Sequence, residues 1–367
     1  MKFSLLTEIQ LAEPTPVTEQ RAFHEAVRQA VLADALGYHA VWAVEHHGLS
    51  AYSHCSAPEI LLGYIAALTT RIRLGHAVTL TPGRYNHPIR VAERIAVLDV
   101  LSGGRVNWGS GKSSTLVEQG AFELSRDELD SQWREALTMI PRMWRDELFE
   151  WNGTHYHVPP TAVLPKPIQQ PHPPIFVACS RPETVTLAGS LGVGSLNFTA
   201  GNDDTLKAKI ASYRTAIAGA RSATRVVNNR FCCTPTTIVL DDDRRACEYG
   251  FRGARYFQES LATYFFSRER IIPPIDVSLD PLTPGELAKA MADRNGPNSS
   301  LTAIIGDPAS AIETVRRFEA AGVDELIMVM DLGTVPHEIV MESLRTFADK
   351  VMPHFASSPG GSSRSSG

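Results

Sequence analysis

The chain has 367 residues, 43% of them hydrophobic and 20% charged, with a formal net charge of −5; that length accommodates two ordinary domains or one large α/β barrel. Lysines and arginines are scattered rather than clustered, which excludes an electrostatic footprint for nucleic acid or an anionic membrane, and no apolar run approaches the roughly 18 residues of a membrane span. The start "MKFSLLTEIQ" carries Glu8 where a signal peptide needs an apolar core, so the expectation is a cytoplasmic protein whose partners are small molecules.

Apolar β-type runs alternate with helical patterns along the chain. "KFSLLTE" (2–8) predicts a first strand, a helix at about 19–36 ends in Gly37, and "HAVWAVE" (39–45) predicts a second strand. A helix follows Pro58. "RIRLGHAVTLTP" (71–82) is a third strand, and "HPIRVAERIAVLDVLSGG" has the early proline and terminal glycines of a helix. "RVNWGSG" (105–111) is a fourth strand, and an amphipathic helix spans roughly 127–147. Then come "PPIFVACS" (173–180), a helix from Pro182, "VGSLNF" (193–198), a helix at about 203–220, "RFCCTPTTIVL" (230–240), a helix from about 243, and a final helix, Gly322 and buried strand in "ASAIETVRRFEAAGVDELIMVMD".

Eight strands separated by helices, with no dinucleotide fingerprint after the first, predict a single α/β domain, a (β/α)8 TIM barrel over 1–354. Two insertions interrupt it. The proline- and aromatic-rich excursion 149–172 follows the fourth strand and its helix, and a long, weakly patterned connection, 266–300, follows the seventh strand, as lids do. Residues 355–367, ending "SSPGGSSRSSG", read as a disordered tail. The five cysteines form no CxxC pair and read as free thiols, with neither a disulfide framework nor a metal site.

Barrel chemistry sits at the C-terminal ends of the strands. The second strand ends in Glu45, His46 and His47. One imidazole there could serve as acid, base or hydrogen-bond donor, and a structural Glu–His pair fits the same letters. The triple lacks zinc-site spacing. The third strand offers His76 and Thr79, and the sixth Asn197 and Phe198, as weaker pocket candidates beside Glu45. The fourth ends "WGSGKSS": glycines permit close backbone approach, Lys112 supplies charge, and Ser113 supplies a hydroxyl suited to a phosphate. The fifth ends "ACSRPET", where Ser180 and Arg181 precede Pro182 at a helix start that favours an anion. The fourth and fifth strands are barrel neighbours, so together they suggest one bound phosphate.

The segments "VWAVEHHG", "HPIRVAERIAVLDVLSGGRVNWGSGKS", "WNGTHYHV…LPKPIQQPHPPIFVACSRPETVTLAG" and "VMESLRTFADKVMP" resemble, in order and spacing, the bacterial luciferase-like flavin monooxygenase family, over residues 2 to about 354. The resemblance implies a barrel that takes reduced FMN from a separate flavin reductase and, with dioxygen, forms a peroxyflavin that oxidises an organic substrate. His46 matches the family's catalytic histidine. The backbone at Ala77 and Val78 matches a strand, often bearing a non-proline cis peptide, that supports the flavin ring. Lys112 stands where the luciferase catalytic chain has a phosphate-binding arginine, and Cys179, Ser180, Arg181 and Thr184 fall in or beside the phosphate loop, with Gly111 in the place of a flavin-facing cysteine. Glu45 and His47 would hold the strand end. The resemblance further implies a homodimer pairing through early helices, "LGY" and "AAL" at 62–68 offering an apolar face. Two alternatives stand beside the FMN monooxygenase: a deazaflavin-dependent hydride-transfer enzyme on the same barrel, and a non-catalytic flavin-binding subunit.

Overall fold

In the computed structural model, which describes residues 1–356 apart from 199–200, 222–225, 272, 274, 276, 295 and 297–298, the short apolar runs form parallel strands and the punctuated segments form helices. The chain runs β1 (Lys2–Thr7), α1 (Pro16–Leu36), β2 (Ala40–Ala43), α2 (Pro58–Leu68), β3 (Arg73–Leu80), α3 (Pro88–Ser102), β4 (Val106–Gly111), α4 (Leu116–Ala121) and α5 (Arg126–Arg145). It continues through β5 (Phe149–Asn152), β6 (His157–Thr161), β7 (Ile175–Ala178), α6 (Pro182–Leu191), β8 (Gly194–Asn197), α7 (Asp203–Ala218), β9 (Phe231–Cys233) and β10 (Thr236–Val239). The last elements are α8 (Asp243–Phe265), α9 (Pro284–Asp293), β11 (Ala303–Gly306), α10 (Pro308–Ala321), β12 (Glu325–Val329) and α11 (His337–Lys350).

Strands β1, β2, β3, β4, β7, β8, β9 and β12 lie side by side in that order, all parallel, and β12 pairs back onto β1 with Phe3 opposite Leu326 and Leu5 opposite Met328. The sheet therefore closes into the expected (β/α)8 barrel, with helices on the outside and every C-terminal strand end on one rim. Helix ends follow their local chemistry. Thr15 caps α1 through a capping box with Thr18, Ser125 caps α5 through one with Glu128, and left-handed Gly37, Gly103, Gly192 and Gly322 end α1, α3, α6 and α10. No helix among the described residues is long and apolar enough to cross a membrane.

The predicted strand 230–240 is two strands, β9 and β10, because Pro235 has no N–H to give to a ladder. Only β9 belongs to the closed barrel; β10 pairs with β11, a strand the sequence reading did not anticipate. The excursion at 149–172 contains the antiparallel β5–β6 hairpin and two cis X–Pro bonds, at Leu164–Pro165 and Gln170–Pro171. The 266–300 connection contains α9, capped by a Thr283–Glu286 capping box, while 272, 274, 276, 295 and 297–298 lie outside the described residues. Phe355, assigned to the tail, instead packs against Phe3 with ring centroids 5.9 Å apart and is 5% exposed; 357–367 lie outside the described residues.

The barrel interior fixes which side chains face the rim. Buried Glu325 accepts hydrogen bonds from Ser4 Oγ (2.6 Å) and Trp42 Nε1 (3.1 Å), and Trp42 meets the Phe176 ring edge-on at 5.0 Å. Ser4, Trp42, Phe176 and Glu325 thus point inward. A Cβ on Gly75 would come within 2.1 Å of Trp42, so that indole requires glycine opposite it. Strand alternation carries the inward set on to Leu6 and Glu8, Val44 and His46, and Ala178 and Ser180, two and four residues along, and to Val329 and Asp331, four and six along.

Candidate active site

The rim divides into two chemically different arcs. On β3, β4 and β7 the side chains are small: Ala77 and Val78 are half-buried, Gly111 carries none, and Ala178 is exposed. The Ala77–Val78 peptide is cis, and the β3–β4 register shifts between His76 and Thr79. A Cβ on Gly111 would stand 2.3 Å from Val78 Cγ2 and 3.8 Å from Ala178 Cβ, so three strands meet here with little between them. The arc formed by β12, β1 and β2 instead carries Asp331, Glu8 and His46, all titratable.

His46 Nδ1 lies 3.0 Å from Glu118 Oε1, and no partner for its Nε2 stands among the described residues. Glu118 sits on α4, is fully buried, and also accepts from the backbone N–H of His47 (3.1 Å) and the hydroxyls of Ser113 and Thr115 (2.7 Å each). Burial opposes charge on both partners and the pair overcomes it. Desolvation alone would depress the imidazole, but the Glu118 charge and hydrogen bond, with Glu8 and Glu45 nearby, raise the His46 pKa. Desolvation alone would raise Glu118, but His46, Ser113 and Thr115 hold it below the usual carboxylate value. The result is a buried carboxylate that strengthens the hold of its imidazole partner on a proton. The His46 ring is bounded edge-on by Tyr52 (5.4 Å) and Phe265 (5.9 Å).

Glu45 and His47 face the other way, as alternation requires. Glu45 Oε2 accepts from the Leu80 N–H and Oε1 from Asn86 Nδ2, both at 2.8 Å, while His47 Nε2 lies 3.3 Å from Glu45 Oε1 and its ring stacks on Tyr85. Glu45 therefore ties the end of β2 to the end of β3. Glu8 lies beside this latch but inside the barrel. It is fully buried, takes the Tyr52 hydroxyl at 3.1 Å, and is pushed up to about 7 by burial. Asp331 Oδ2 accepts the backbone N–H groups of Glu8 and Ile9, both at 3.1 Å, and burial followed by the Glu8 charge pushes it up to about 8.

Of the residues expected to hold a phosphate, Ser180 and Arg181 are exposed at the open start of α6, where Arg181 is the N-cap and makes no side-chain capping bond. Thr184 is half-buried in the first turn. Lys112 is already engaged: its ammonium is bonded to Asp130 and lies 5.2 Å from the Trp133 ring. Ser113 serves Glu118 rather than an open loop. Cys179 is buried on the outer face, with Sγ near the carbonyls of Val177 (3.4 Å) and Thr184 (3.5 Å), and burial pushes its thiol up to about 12.

Three pocket candidates turn away from the mouth. His76 is in register with Trp108, which packs on Trp144 of α5; it is 1% exposed in the helical layer, and burial lowers it to about 4. Thr79 is in register with Ser110, which is bonded to Trp133 of α5, and its own hydroxyl is buried without a partner among the described residues. The Asn197 amide donates to Ser195 Oγ and the Cys232 carbonyl. Phe198, 40% exposed after β8, remains at the rim.

Sequence reasoning missed Glu118, Tyr52, Glu8 and Asp331. A signal existed for three of them. Thr115 and Glu118 have the S/T-x-x-E spacing of a capping box, and Glu8 and Asp331 are the acids that end the first and last apolar runs. Tyr52 carried none, since only the fold of the 46–57 loop brings it to Glu8. The connection at 266–300 leaves α8 beside His46 through Phe265, and Arg270 crosses α4 at Gly120. Among the described residues no group of three His, Cys, Asp or Glu side chains is placed to hold a metal ion.

Comparison with known proteins places the chain among relatives of known activity. The oxygenase component of flavin-dependent trigonelline monooxygenase from Acinetobacter baylyi is 25% identical over 371 residues, covering 98% of this chain and 96% of the relative. The F420-dependent hydroxymycolic acid dehydrogenase of Mycobacterium tuberculosis is 31% identical over 243 residues, 62% of each chain. The crystal structure of monooxygenase RslO1 from Streptomyces bottropensis superposes with a TM-score of 0.80 at 26% identity, covering 97% of this chain and all of that one. The sequence profile of the luciferase-like monooxygenases matches residues 1–325, and the chain is an enzyme of that family.

Proposed function

We propose that the protein is the oxygenase component of a two-component system, using reduced FMN from a separate reductase and dioxygen to insert one oxygen atom into a small organic substrate. The observation that carries this is the division of the rim: an arc of small side chains faces an imidazole backed by a buried carboxylate. Reduced FMN, when bound, supplies the two electrons that let one atom of dioxygen enter the substrate while the other leaves as water. Ala77, Val78, Gly111 and Ala178 would seat the ring. The open N-terminus of α6, with Ser180, Arg181 and Thr184, would take the phosphate, and Lys112 would add a second cation shared with Asp130. His46 holds a proton on Nε2 toward the mouth and recovers it without leaving the Glu118 hydrogen bond. The 266–300 connection, beginning at Phe266, would shield the mouth from water.

The relative named as an oxygenase component supports the need for a separate reductase. Five buried free thiols suit a reducing, cytoplasmic setting. A homodimer is supported by an apolar stripe, Ile60, Tyr64 and Leu68 on α2 with Val97, Val100 and Leu101 on α3, all exposed.

The deazaflavin reading is favoured by the 31% identity to an F420-dependent dehydrogenase. Anaerobic equilibrium dialysis against reduced FMN and against a reduced deazaflavin, followed by air in an oxygen-electrode cell, separates the two. Binding of reduced FMN with oxygen uptake that hydrogen peroxide release does not fully account for, once substrate is added, supports the oxygenase. Tight deazaflavin binding with no oxygen uptake overturns it.

A further inference from the structure

The N-terminal ends of the strands form the rim opposite the mouth, and cations collect there. Lys2 opens β1, Arg73 opens β3, and Arg230 immediately precedes β9. Alternation turns all three inward. Lys2 lies two residues before Ser4, Arg73 two before Gly75, which faces Trp42, and Arg230 two before Cys232, whose Sγ is 4.0 Å from Glu325 Oε2. Lys2 Nζ and Arg230 Nη1 both approach the Nε2 of His39, each at 3.4 Å. One imidazole lone pair cannot satisfy two cations. His39 itself stays neutral: burial, then the charges of Lys2, Arg230 and Arg73, lower it to about 3.

Of the three cations, Arg230 alone meets a carboxylate among the described residues, with Nη1 3.2 Å from Glu325 Oε2; the other oxygen of Glu325 is taken by Ser4 and Trp42. Arg73 donates to neutral acceptors, Asn107 Oδ1 (2.9 Å), the Val106 carbonyl (2.7 Å) and Gln169 Oε1 (3.0 Å). Hydrogen bonds to neutral groups satisfy its N–H groups and leave its charge uncompensated. The acids nearby are engaged elsewhere. Asp34 accepts the backbone N–H groups of Thr70, Arg71 and Ile72, and Asp99 holds Gln169. Three cations against one carboxylate leave two positive charges at this end of the barrel. They border a cavity of about 720 Å³ whose polar lining includes Lys2, His39, Arg71 and Arg73, whose apolar wall includes Met352 and Pro353, and which no carboxylate lines among the described residues.

We propose that this end of the barrel binds a phosphate monoester, its phosphoryl group among Lys2, Arg71 and Arg73 and its carbon body on the Met352–Pro353 wall. The charge matches, because a phosphoryl group near neutral pH carries about −1.5 to −2. The donors match as well: guanidinium groups present planar forks to phosphate oxygens and Lys2 adds a point charge. The site lies at the opposite end of the barrel from His46 and the start of α6, so it is distinct from the flavin seat.

Phenyl phosphate and inorganic phosphate are the probes, each titrated into flavin-free full-length protein in low-salt buffer free of phosphate and sulfate, where screening is small. Calorimetry gives the affinity. Nitrogen-15 NMR of the His39 ring, assigned with His39→Gln, gives the location. Phenyl phosphate is expected to bind more tightly than inorganic phosphate and to shift the His39 nitrogens to saturation. Lys2→Gln and Arg71→Gln are each expected to weaken that response about tenfold, while Arg181→Gln at the far end leaves it unchanged. An unmoved His39 signal up to about 10 mM phenyl phosphate, a range that covers weak millimolar binding, overturns the proposal. So does parent affinity in both Lys2→Gln and Arg71→Gln, or loss of the His39 response in Arg181→Gln. Inorganic phosphate binding as tightly as phenyl phosphate would put free phosphate in the site and overturn its assignment to an ester. Should Lys2→Gln fail to fold, Arg71→Gln and the parent His39 titration still decide. None of these readouts needs flavin, so failure of the FMN reading leaves them intact.

Discussion

His46 and Glu118 stand 72 residues apart in the chain and 3.0 Å apart in space, and the side chain of Glu118 is 1% exposed. A carboxylate so buried is tolerated because three further donors, from His47, Ser113 and Thr115, converge on it. Its effect is to raise the pKa of a half-buried imidazole. Glu118→Gln keeps the shape and removes the charge, so the His46 pKa falls. The sign follows directly: a raised folded-state pKa extends the imidazolium to higher pH, so the variant loses more activity at pH 8 than at pH 6. A drop of about tenfold to a hundredfold in kcat at pH 8, with a smaller one at pH 6, is expected from substrate turnover profiles. An equal loss at both pH values would show that the carboxylate acts through packing alone.

His46→Ala removes the group itself and nothing of the seat on β3, β4 and β7. FMN affinity, measured by dialysis, is expected to stay within about threefold of the parent, while product formed per oxygen consumed falls by roughly 10²-fold or more. Parent-rate turnover in this variant would remove His46 from the mechanism.

Gly111→Ala tests the seat. The added Cβ would lie 2.3 Å from Val78 Cγ2, and Val78 is a β-branched residue on a strand with few rotamers to retreat into. The bulge at 77–78 must yield, and FMN binding is expected to weaken about tenfold, or about 1.4 kcal/mol, with the far-ultraviolet circular dichroism unchanged. Unaltered FMN affinity would place the ring elsewhere on the rim.

The barrel and the two insertions were legible because eight apolar runs with helix punctuation between them leave few other topologies. The Glu45–His46–His47 triple was legible for a similar reason: period-two alternation at a strand end sends His46 one way and its neighbours the other. His76 and Thr79 misled because three steps on β3 from one to the other match only two on β4, from Trp108 to Ser110. The slip puts both on the outer face, and alternation read from sequence cannot see a bulge. Lys112 read as a free charge because its counter-ion, Asp130, lies 18 residues on across a helix boundary. The break at Pro235 was visible as a letter, yet the length of the apolar run outweighed it.

Self-association is tested at the stripe on α2 and α3. Ile60 and Leu101 are 72% and 75% exposed, so acidic substitutions there cost the monomer little. The double variant Ile60→Asp, Leu101→Glu is expected to sediment as a monomer at concentrations where the parent is a dimer, with an unchanged melting temperature at low protein concentration. A parent that sediments as a monomer throughout would remove the stripe from consideration as an interface.

The pH dependence of stability offers a separate measurement on Glu8. Its folded-state pKa, pushed up to about 7, lies above its unfolded value of 4.5. The folded protein therefore binds more protons than the unfolded chain between those values, and this group's contribution falls as pH rises through that window. Glu8→Gln keeps the Tyr52 hydrogen bond while removing the titration. Relative to the parent, the variant should gain stability from pH 5 to pH 8.5, by about 2–3 kcal/mol across the range. Urea midpoints at the two pH values provide the check. A difference between variant and parent that does not change with pH would mean that Glu8 is ionised in the folded protein at pH 5, and the buried, unpartnered Oε2 would then need another explanation.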